Sequence, residues 1–188
     1  MSKSSDKKIK RFEETILVHI DSAYNYARWL ARDPHDAEDL IQEACMCAFA
    51  AFDTFKQNNP KSWLLTIIRN TFLNQKQKEQ RQGHVIYLDT ACQTENVPNE
   101  LRNALTPESH LLQRDESNQV MNAINELTME SREIIVLREL EGFSYNEIAL
   151  ITECALGTVM SRLSRARNQL KLKLTSVMDI SGQSENGV

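Results

Sequence analysis

The chain has 188 residues, of which 41 % are apolar and 26 % are charged, and its formal net charge at pH 7 is -4. This balance is typical of a globular protein with one large domain or two small ones, and it argues against a disordered chain. No apolar run approaches the roughly 20 residues of a membrane span, and no signal peptide follows the basic N-terminus, so we expect a cytoplasmic protein without membrane insertion of its own.

The cysteines and histidines give no sign of a metal site. The four histidines are scattered, and the four cysteines lack the paired spacing of metal ligands. Reduced, mostly buried thiols are the expected state of Cys45, Cys47, Cys92 and Cys154, although a redox role for Cys45 and Cys47 stays open. Because no nucleophile, metal or phosphate-loop constellation is present either, we predict no enzyme, no cofactor and no metal.

Helix starts are marked along the chain by capping residues. Asp33-Pro34, Asn59-Pro60 and Thr106-Pro107 each place a capping side chain before a proline. Ser144 and Glu147 have the spacing of a reciprocal capping box. With few Gly and Pro and no sustained period-two alternation, the sequence predicts an all-α fold. The expected helices lie near 8–32, 34–53, 60–82, 107–126, 129–141, 144–151 and 156–174.

The helical pattern breaks between Gly83 and Thr106, where Pro98 and several Asn and Thr occur. We therefore predict two small helical domains joined by a flexible linker. The N-terminal domain spans 8–82, an acidic linker spans 83–106, the C-terminal domain spans 107–174, and a frayed tail spans 175–188.

The predicted helix over 34–53 is acidic. Six acids and no Lys or Arg lie between Asp33 and Asp53. Asp36, Asp39 and Glu43 form one row at spacings of three and four, with Leu40 at its border. A solvated face is the common explanation of such a row, and docking on a basic protein partner with Leu40 as an apolar anchor is the sharper one. The side expected to be buried comprises Ala37, Ile41, Ala44, Ala48 and Phe52.

The predicted helix over 60–82 is basic, with five Lys or Arg and one Glu between Lys61 and Arg81. Leu64, Leu65, Ile68 and Phe72 are its expected core side. A second stripe, preceded by Phe55, can stack on, hydrogen-bond and neutralise single-stranded nucleic acid. Closure of the small core by Trp63 and Ile67 is an equally weighted alternative. The stripe consists of Trp63, Ile67, Asn70, Asn74 and Lys78.

The C-terminal helix has no acid between Cys154 and Met178. Its apolar stripe is Val159, Leu163, Ala166 and Leu170. A capped short helix and a turn of about four residues precede it, which is the pattern of a helix-turn-helix whose second helix enters the DNA major groove. We favour this interpretation over a solvated basic helix. Thr158, Ser161, Arg165 and Asn168 lie opposite the stripe with Arg162 on its flank, while Arg167, Lys171 and Lys173 are placed for phosphate contact.

Three segments together resemble a bacterial RNA polymerase sigma factor of the extracytoplasmic-function (ECF, sigma-70 family) class. They are "DAEDLIQEACMCAFAAFDTF" (Asp36–Phe55), "WLLTIIRNTFLN" (Trp63–Asn74) and the long stretch from Glu130 to Leu170. The resemblance covers nearly the whole chain except the linker and the extreme ends. Met160 and the "TECAL" turn depart from the commonest pattern of that family.

The resemblance implies a factor that directs core RNA polymerase to promoter DNA. The acidic helix would dock on polymerase through Asp36, Asp39, Leu40, Gln42 and Glu43. The melted -10 element, with one base flipped out, would be held by Phe55, Trp63, Arg69, Asn70 and Asn74, to which the stripe adds Lys78. The -35 element would be contacted by Thr158, Ser161, Arg162, Arg165, Arg167 and Lys171.

The family also implies an anti-sigma factor as a regulatory partner. Two alternatives remain: a helix-turn-helix regulator that does not direct polymerase, and a sigma-mimicking protein that binds an anti-sigma factor. The first would not need the acidic row or the Trp63 stripe. The second should lose the basic DNA-contacting face, and Arg162 and Arg165 argue against it.

Overall fold

A computed structural model describes residues 2–56, 59–81 and 119–183, and every regular element within these ranges is helical. This confirms the predicted all-α class. The helices are α1 (Ser2–Thr15), α2 (Ile20–Ala31), α3 (Pro34–Ala51), α4 (Pro60–Arg81), α5 (119–125), α6 (Met129–Ile135), α7 (Tyr145–Thr152) and α8 (Leu156–Gln183). Short 3-10 turns span Leu17–His19 and Phe52–Thr54, and a π-helical turn spans Val136–Leu140.

The described helices belong to two compact units. The first unit contains α1 to α4 together with Val136–Ser161, and therefore also α7 and the start of α8. The second contains α5, α6 and the part of α8 that begins at Arg162. The predicted linker lies outside the described residues, as does the predicted helix start at Thr106, and the domain limits remain a prediction.

Capping side chains start three of the helices at the expected places. Asp33 accepts hydrogen bonds from the backbone N–H groups of His35 and Asp36 at 2.8 and 3.2 Å. Asn59 Oδ1 accepts from the N–H of Ser62 at 3.0 Å. The reciprocal capping box of Ser144 and Glu147 is complete. These bonds satisfy backbone donors that the first helical turn leaves without partners, which is why the sequence located these starts correctly.

The first unit is built around the packing of α2, α3 and α4 on one another. Buried alanines of α2 and α3 contribute to this core together with larger side chains. α1 adds Phe12, whose ring makes edge contacts with Phe49 and Phe52 at centroid distances of 5.2 Å. The fully buried side chains of this core include Ala23, Tyr26, Ala37, Ala44, Phe52, Leu64 and Ile68.

Two predicted helix limits are wrong. The single helix expected over 8–32 is interrupted after Ile16, where a 3-10 turn bends the chain and His19 leaves helical geometry with φ -104° and ψ 12°. Ile16 is fully buried at this bend, so the interruption lets α1 and α2 both contribute to the core. The frayed tail is also wrong up to Gln183, because α8 continues there without a proline to stop it.

No helix within the described ranges is long and apolar enough to cross a membrane.

Candidate polymerase and nucleic-acid interfaces

The acidic row of α3 is exposed, but its predicted apolar anchor is not. Asp36, Asp39 and Gln42 are exposed, and Glu43 is half-buried with its carboxylate accepting a hydrogen bond from Gln75 at 2.7 Å. The prediction that Leu40 is an accessible anchor is wrong, because its side chain has 0 % exposure. A partner can therefore touch the carboxylates of this row but not Leu40.

Leu40 is inaccessible because the buried stripe of α3 includes Leu40 where the sequence predicted Ile41. Ala37, Leu40, Ala44 and Ala48 are all fully buried, at spacings of three and four, whereas Ile41 is only half-buried. Leu40 thus takes the core position that the sequence assigned to Ile41. Leu40 and Ile41 lie about 100° apart, on opposite sides of the line of alanines that both stripes share, so the exchange moves one edge of the apolar side while its centre changes little.

The structure brings Phe55 and Trp63 together at the start of α4. Their ring centroids are 4.9 Å apart and tilted by 49°, and both side chains are half-buried. Phe55 also stacks on the fully buried Phe52 at 6.1 Å with an interplanar angle of 12°. The aromatic pair is therefore supported from the core and partly open to solvent, which is the arrangement needed to stack on an unpaired base.

The other predicted residues of the α4 stripe are spread over its remaining length. Asn74 and Lys78 are exposed, whereas Arg69 and Asn70 are half-buried. Asn70 Nδ2 donates a hydrogen bond to Glu153 Oε1 at 3.1 Å. The stripe thus forms one surface with an aromatic start, and one of its amides is already engaged by a carboxylate from the turn after α7.

α7 and α8 form the predicted helix-turn-helix. α7 ends at Thr152 and is followed by its C-cap Glu153, which has left-handed backbone angles of φ 52° and ψ 40°, and α8 begins at Leu156. The N–H of Cys154 donates to the carbonyl of Ala149 at 3.1 Å, which closes the end of α7. The short turn predicted from the sequence is thereby confirmed, and so is the start of the second helix.

α8 buries its predicted stripe and exposes most of its polar side. Val159, Leu163 and Ala166 are buried as expected, whereas Leu170 is half-exposed. On the polar side, the hydroxyl of Ser161 donates to the carbonyl of Thr158 at 3.0 Å. Ser161, Arg165, Arg167, Asn168 and Lys171 are exposed, and Thr158 is half-buried.

Two cations on one edge of this polar side are paired within the second unit. Arg162 lies 3.6 Å from a Glu130 carboxylate oxygen, and Lys173 lies 2.6 Å from Glu126. Glu126 and Glu130 are largely exposed partners, so each pair holds its cation only weakly. Beyond this edge, Arg165 and Lys171 extend from the helix on a surface that contains no acid of α8 up to Met178.

The cysteines differ from the expectation in one respect. Burial raises the pKa of the Cys45 thiol, in agreement with the expected reduced and buried state. Cys47, in contrast, is exposed. Cys45, Cys47 and Cys154 are all free, while Cys92 lies outside the described residues. Within the described ranges, no three His, Cys, Asp or Glu side chains are grouped so that they could hold a metal ion.

Contacts between α4 and the segment around α7 were not predicted. Lys61, Asn59 and Asn70 bond to Glu141, Glu147 and Glu153, respectively. The partners are 80 or more residues apart in the chain. Helical periodicity and capping are local signals, so neither could indicate this pairing.

Comparison with known proteins agrees with this geometry. Residues 16–82 match the family described as Sigma-70 region 2, and residues 117–170 match Sigma-70, region 4. The ECF RNA polymerase sigma factor EcfG of Rhodopseudomonas palustris (strain TIE-1) is 30 % identical over 175 residues, covering 93 % of this chain and 88 % of that protein. The ECF RNA polymerase sigma-E factor of Escherichia coli (strain K12) is 35 % identical over 142 residues, which are 74 % of each chain.

A solved structure extends the likeness to the fold. In the co-crystal structure of the sigma factor RpoE with the anti-sigma factor NepR from Bartonella quintana, the sigma factor superposes with a TM-score of 0.71. The two sequences are 33 % identical, and the match covers 88 % of this chain and 98 % of the other.

Proposed function

The chain belongs to the ECF RNA polymerase sigma factors of the sigma-70 family, and we propose that it uses three separate surfaces to direct core RNA polymerase to specific promoters. Members of this family are transcription initiation factors, not enzymes, and they bind core RNA polymerase and promoter DNA. We assign the protein to the cytoplasm, where its polymerase partner works.

One observation carries the proposal beyond DNA binding in general. Phe55 and Trp63 form a half-buried ring pair, supported by Phe52, at the head of a stripe of amides and cations. A regulator that binds only duplex DNA has no use for an aromatic platform, because its bases stay stacked. A protein that captures a melted strand needs such a platform.

The surface for the -10 element is the stripe along α4. Phe55 and Trp63 would stack on an unpaired base, the amides would bond to base edges, and the cations would neutralise phosphates. Half-burial of the rings limits their rotamers, which lowers the entropy lost on binding. The assigned residues are Phe55, Trp63, Arg69, Asn70, Asn74 and Lys78.

The surface for the -35 element is the exposed side of α8. Arg165 is exposed there and can make a bidentate contact to guanine in the major groove. Thr158, Ser161 and Arg162 would contact bases or nearby phosphates. Arg167 and Lys171 would contact the phosphate backbone, which positions the helix without selecting sequence.

The docking surface for core polymerase is the acidic row of α3. Asp36, Asp39, Gln42 and Glu43 would bind a basic surface of the enzyme, where charge complementarity favours rapid and specific association. Leu40 is removed from this surface because it is buried in the protein's own core.

An anti-sigma factor is the expected regulator. The Bartonella quintana relative was crystallised with the anti-sigma factor NepR, and its match extends over 88 % of this chain. We propose that this protein is likewise held inactive by a dedicated anti-sigma factor that covers its polymerase-binding surfaces.

Run-off transcription tests the proposed function. Core RNA polymerase is incubated with fragmented bacterial genomic DNA, with and without the purified protein. New discrete start sites that share two upstream sequence elements are expected. If no new starts appear while the protein still binds DNA, it is a regulator that does not direct polymerase. If it binds only polymerase or an anti-sigma factor, it is a sigma mimic.

A further inference from the structure

A second part of the chain contacts α4 at two places, at its start through Lys61 and Asn59, which lie off the stripe assigned to the -10 element, and at Asn70, which lies within that stripe. The ammonium group of Lys61 lies 2.8 Å from the carboxylate of Glu141 and donates to its backbone carbonyl at 3.2 Å. It also lies 5.0 Å from the ring centroid of Phe143. The Glu141 side chain is only 8 % exposed, so this is a well-enclosed ion pair.

The helix caps of α4 and α7 are joined by a shared hydrogen bond. Asn59, which caps α4 through Oδ1, uses Nδ2 to donate to Glu147 Oε1 at 2.5 Å. The other carboxylate oxygen of Glu147 accepts from the N–H and hydroxyl of Ser144 at 2.8 and 2.7 Å. Each cap therefore holds the other in place.

A third carboxylate reaches the middle of the stripe. Glu153, in the turn after α7, accepts the hydrogen bond from Asn70. Glu153 is therefore the one of these three carboxylates that meets a stripe residue, whereas Glu141 and Glu147 hold the segment at the start of α4. A nucleic acid strand would offer α4 the same chemistry, namely a row of anionic and carbonyl oxygens.

We propose that the segment 141–153 is an internal competitor of single-stranded DNA for α4. In the free protein, Glu153 occupies Asn70 of the -10 surface while Glu141 and Glu147 hold the segment at the start of α4, and a strand can bond to Asn70 only after the turn that follows α7 has moved away. This inference rests on the proposed function, because it takes the α4 stripe to be the single-strand site. It adds that the free protein screens this site by its own C-terminal segment, without a second chain.

The expected size of the effect follows from the fraction of open molecules. When a site is available only in the open form, its apparent dissociation constant increases by the reciprocal of the open fraction. A free protein that is about 90 % closed would bind single-stranded DNA about 10-fold more weakly than an open variant.

The test is a binding measurement on the full-length chain at one fixed salt concentration. The variant E141Q/E153Q keeps the Glu147 capping box and removes two of the three carboxylates. Its fluorescence anisotropy titration with a labelled random-sequence DNA strand of about 12 nucleotides should give about 10-fold tighter binding than the wild type. The control E13Q/E38Q removes two exposed charges from α1 and α3 and should stay within about 2-fold of the wild type.

A second variant with a single substitution tests the same inference in case E141Q/E153Q does not fold. E153Q changes only an exposed residue of the turn and leaves the enclosed Lys61–Glu141 pair in place, and about 3-fold tighter binding is expected. Circular dichroism reports the fold of each variant. If folded E141Q/E153Q or folded E153Q binds no more tightly than E13Q/E38Q, or if none of the proteins binds the strand, the inference is overturned.

Run-off transcription separates this inference from the proposed function. Wild-type protein that yields no new starts with core polymerase would overturn the proposed function. Wild-type protein that does yield them, combined with equal single-strand affinities of E141Q/E153Q and its control, would overturn only the internal competition.

Discussion

α4 and α8 both carry donors for nucleic acid, yet they are held in different ways. On α4, Asn70 is bonded to a carboxylate from another part of the same unit, and the aromatic pair of Phe55 and Trp63 is half-buried. On α8, Arg165 is exposed, and the cations Arg162 and Lys173 on the neighbouring edge are paired with exposed acids. The first surface is partly covered, and the second is open.

This difference matches the form of DNA that each surface would bind. Duplex DNA presents its groove edges at all times, so a helix that contacts them can stay exposed. A melted strand exists only after polymerase has opened the promoter, and an uncovered aromatic and basic face would bind any single strand before then. We therefore expect that only the α4 surface benefits from being covered by another part of the chain in the free protein.

The largest expected effect comes from removing the proposed docking on core polymerase, on which the use of both surfaces would depend. Reversing two charges in the row of α3, as in D39R/E43R, should weaken core polymerase binding on the order of 100-fold, because like charges then face each other at the interface. Binding is measured with labelled protein and purified core enzyme. The matched control E13R/E38R reverses two exposed charges outside the row. An unfolded D39R/E43R would show that these acids serve the structure, and D39R alone then preserves the Glu43–Gln75 bond.

Trp63→Ala should impair nucleic-acid binding by the α4 surface and leave DNA binding by α8 unchanged. Loss of base stacking costs about 1–3 kcal/mol, so run-off transcription should fall about 5- to 150-fold. Trp63→Phe keeps a ring against Phe55 and should retain most of the activity. If binding to duplex -35 DNA fell as much as transcription, the whole protein would be disturbed and the separate role of α4 would be lost.

Arg165→Ala should affect the α8 surface alone. We expect about 10-fold less discrimination between promoters that differ at one upstream base pair, because a bidentate contact to guanine contributes about 1–3 kcal/mol. Lys171→Ala should weaken binding evenly over all sequences and reduce its salt dependence. Competition binding with upstream duplexes at two salt concentrations measures both. Equal loss of discrimination in the two variants would contradict the face assignment.

The smallest effect concerns the acid sensitivity of the α4–α7 contact. Hydrogen bonds from the side chain and then the backbone of Ser144 hold the pKa of Glu147 below its ordinary value. Its stabilising contribution is therefore present above the pKa of the unfolded chain and is lost as the pH falls through the lowered folded-state pKa.

Thermal unfolding of the wild type and E147Q between about pH 6 and pH 3 measures this contribution. Their melting temperatures should converge by a few degrees as the pH falls, because the glutamine variant has no carboxylate at this position to protonate. S144A removes the main cause of the shift and should reduce the pH dependence. A constant difference between wild type and E147Q would show that the carboxylate is not what the contact requires.

Local chemistry determined how much of the fold could be predicted. Asp33, Asn59 and the Ser144–Glu147 box located helix starts correctly because a cap involves residues within one turn. The buried stripe of α8 was also predictable from periodicity. The burial of Leu40 was not predictable, because Leu40 and Ile41 are adjacent apolar residues of α3. The packing of α2 and α4 decides which of the two points inward.

In the candidate site, too, features within one helix were predictable and contacts between distant segments were not. The row of α3, the stripe of α4 and the acid-free side of α8 could be predicted, since each lies on one helix. The proximity of Phe55 to Trp63 was only suggested by their order in the chain. The pairing of Asn70 with Glu153 connects residues 83 positions apart and leaves no periodic trace in the sequence.

The left-handed backbone of Glu153 makes this position tolerant of a glycine. A non-glycine residue in that conformation costs about 1 kcal/mol, and glycine would remove this cost while adding a comparable amount of chain entropy to the unfolded state. Glu153→Gly should therefore be nearly neutral for stability while it deletes the carboxylate that holds Asn70. Retention or loss of that single acid could then adjust how readily related factors engage a melted strand without a penalty for folding.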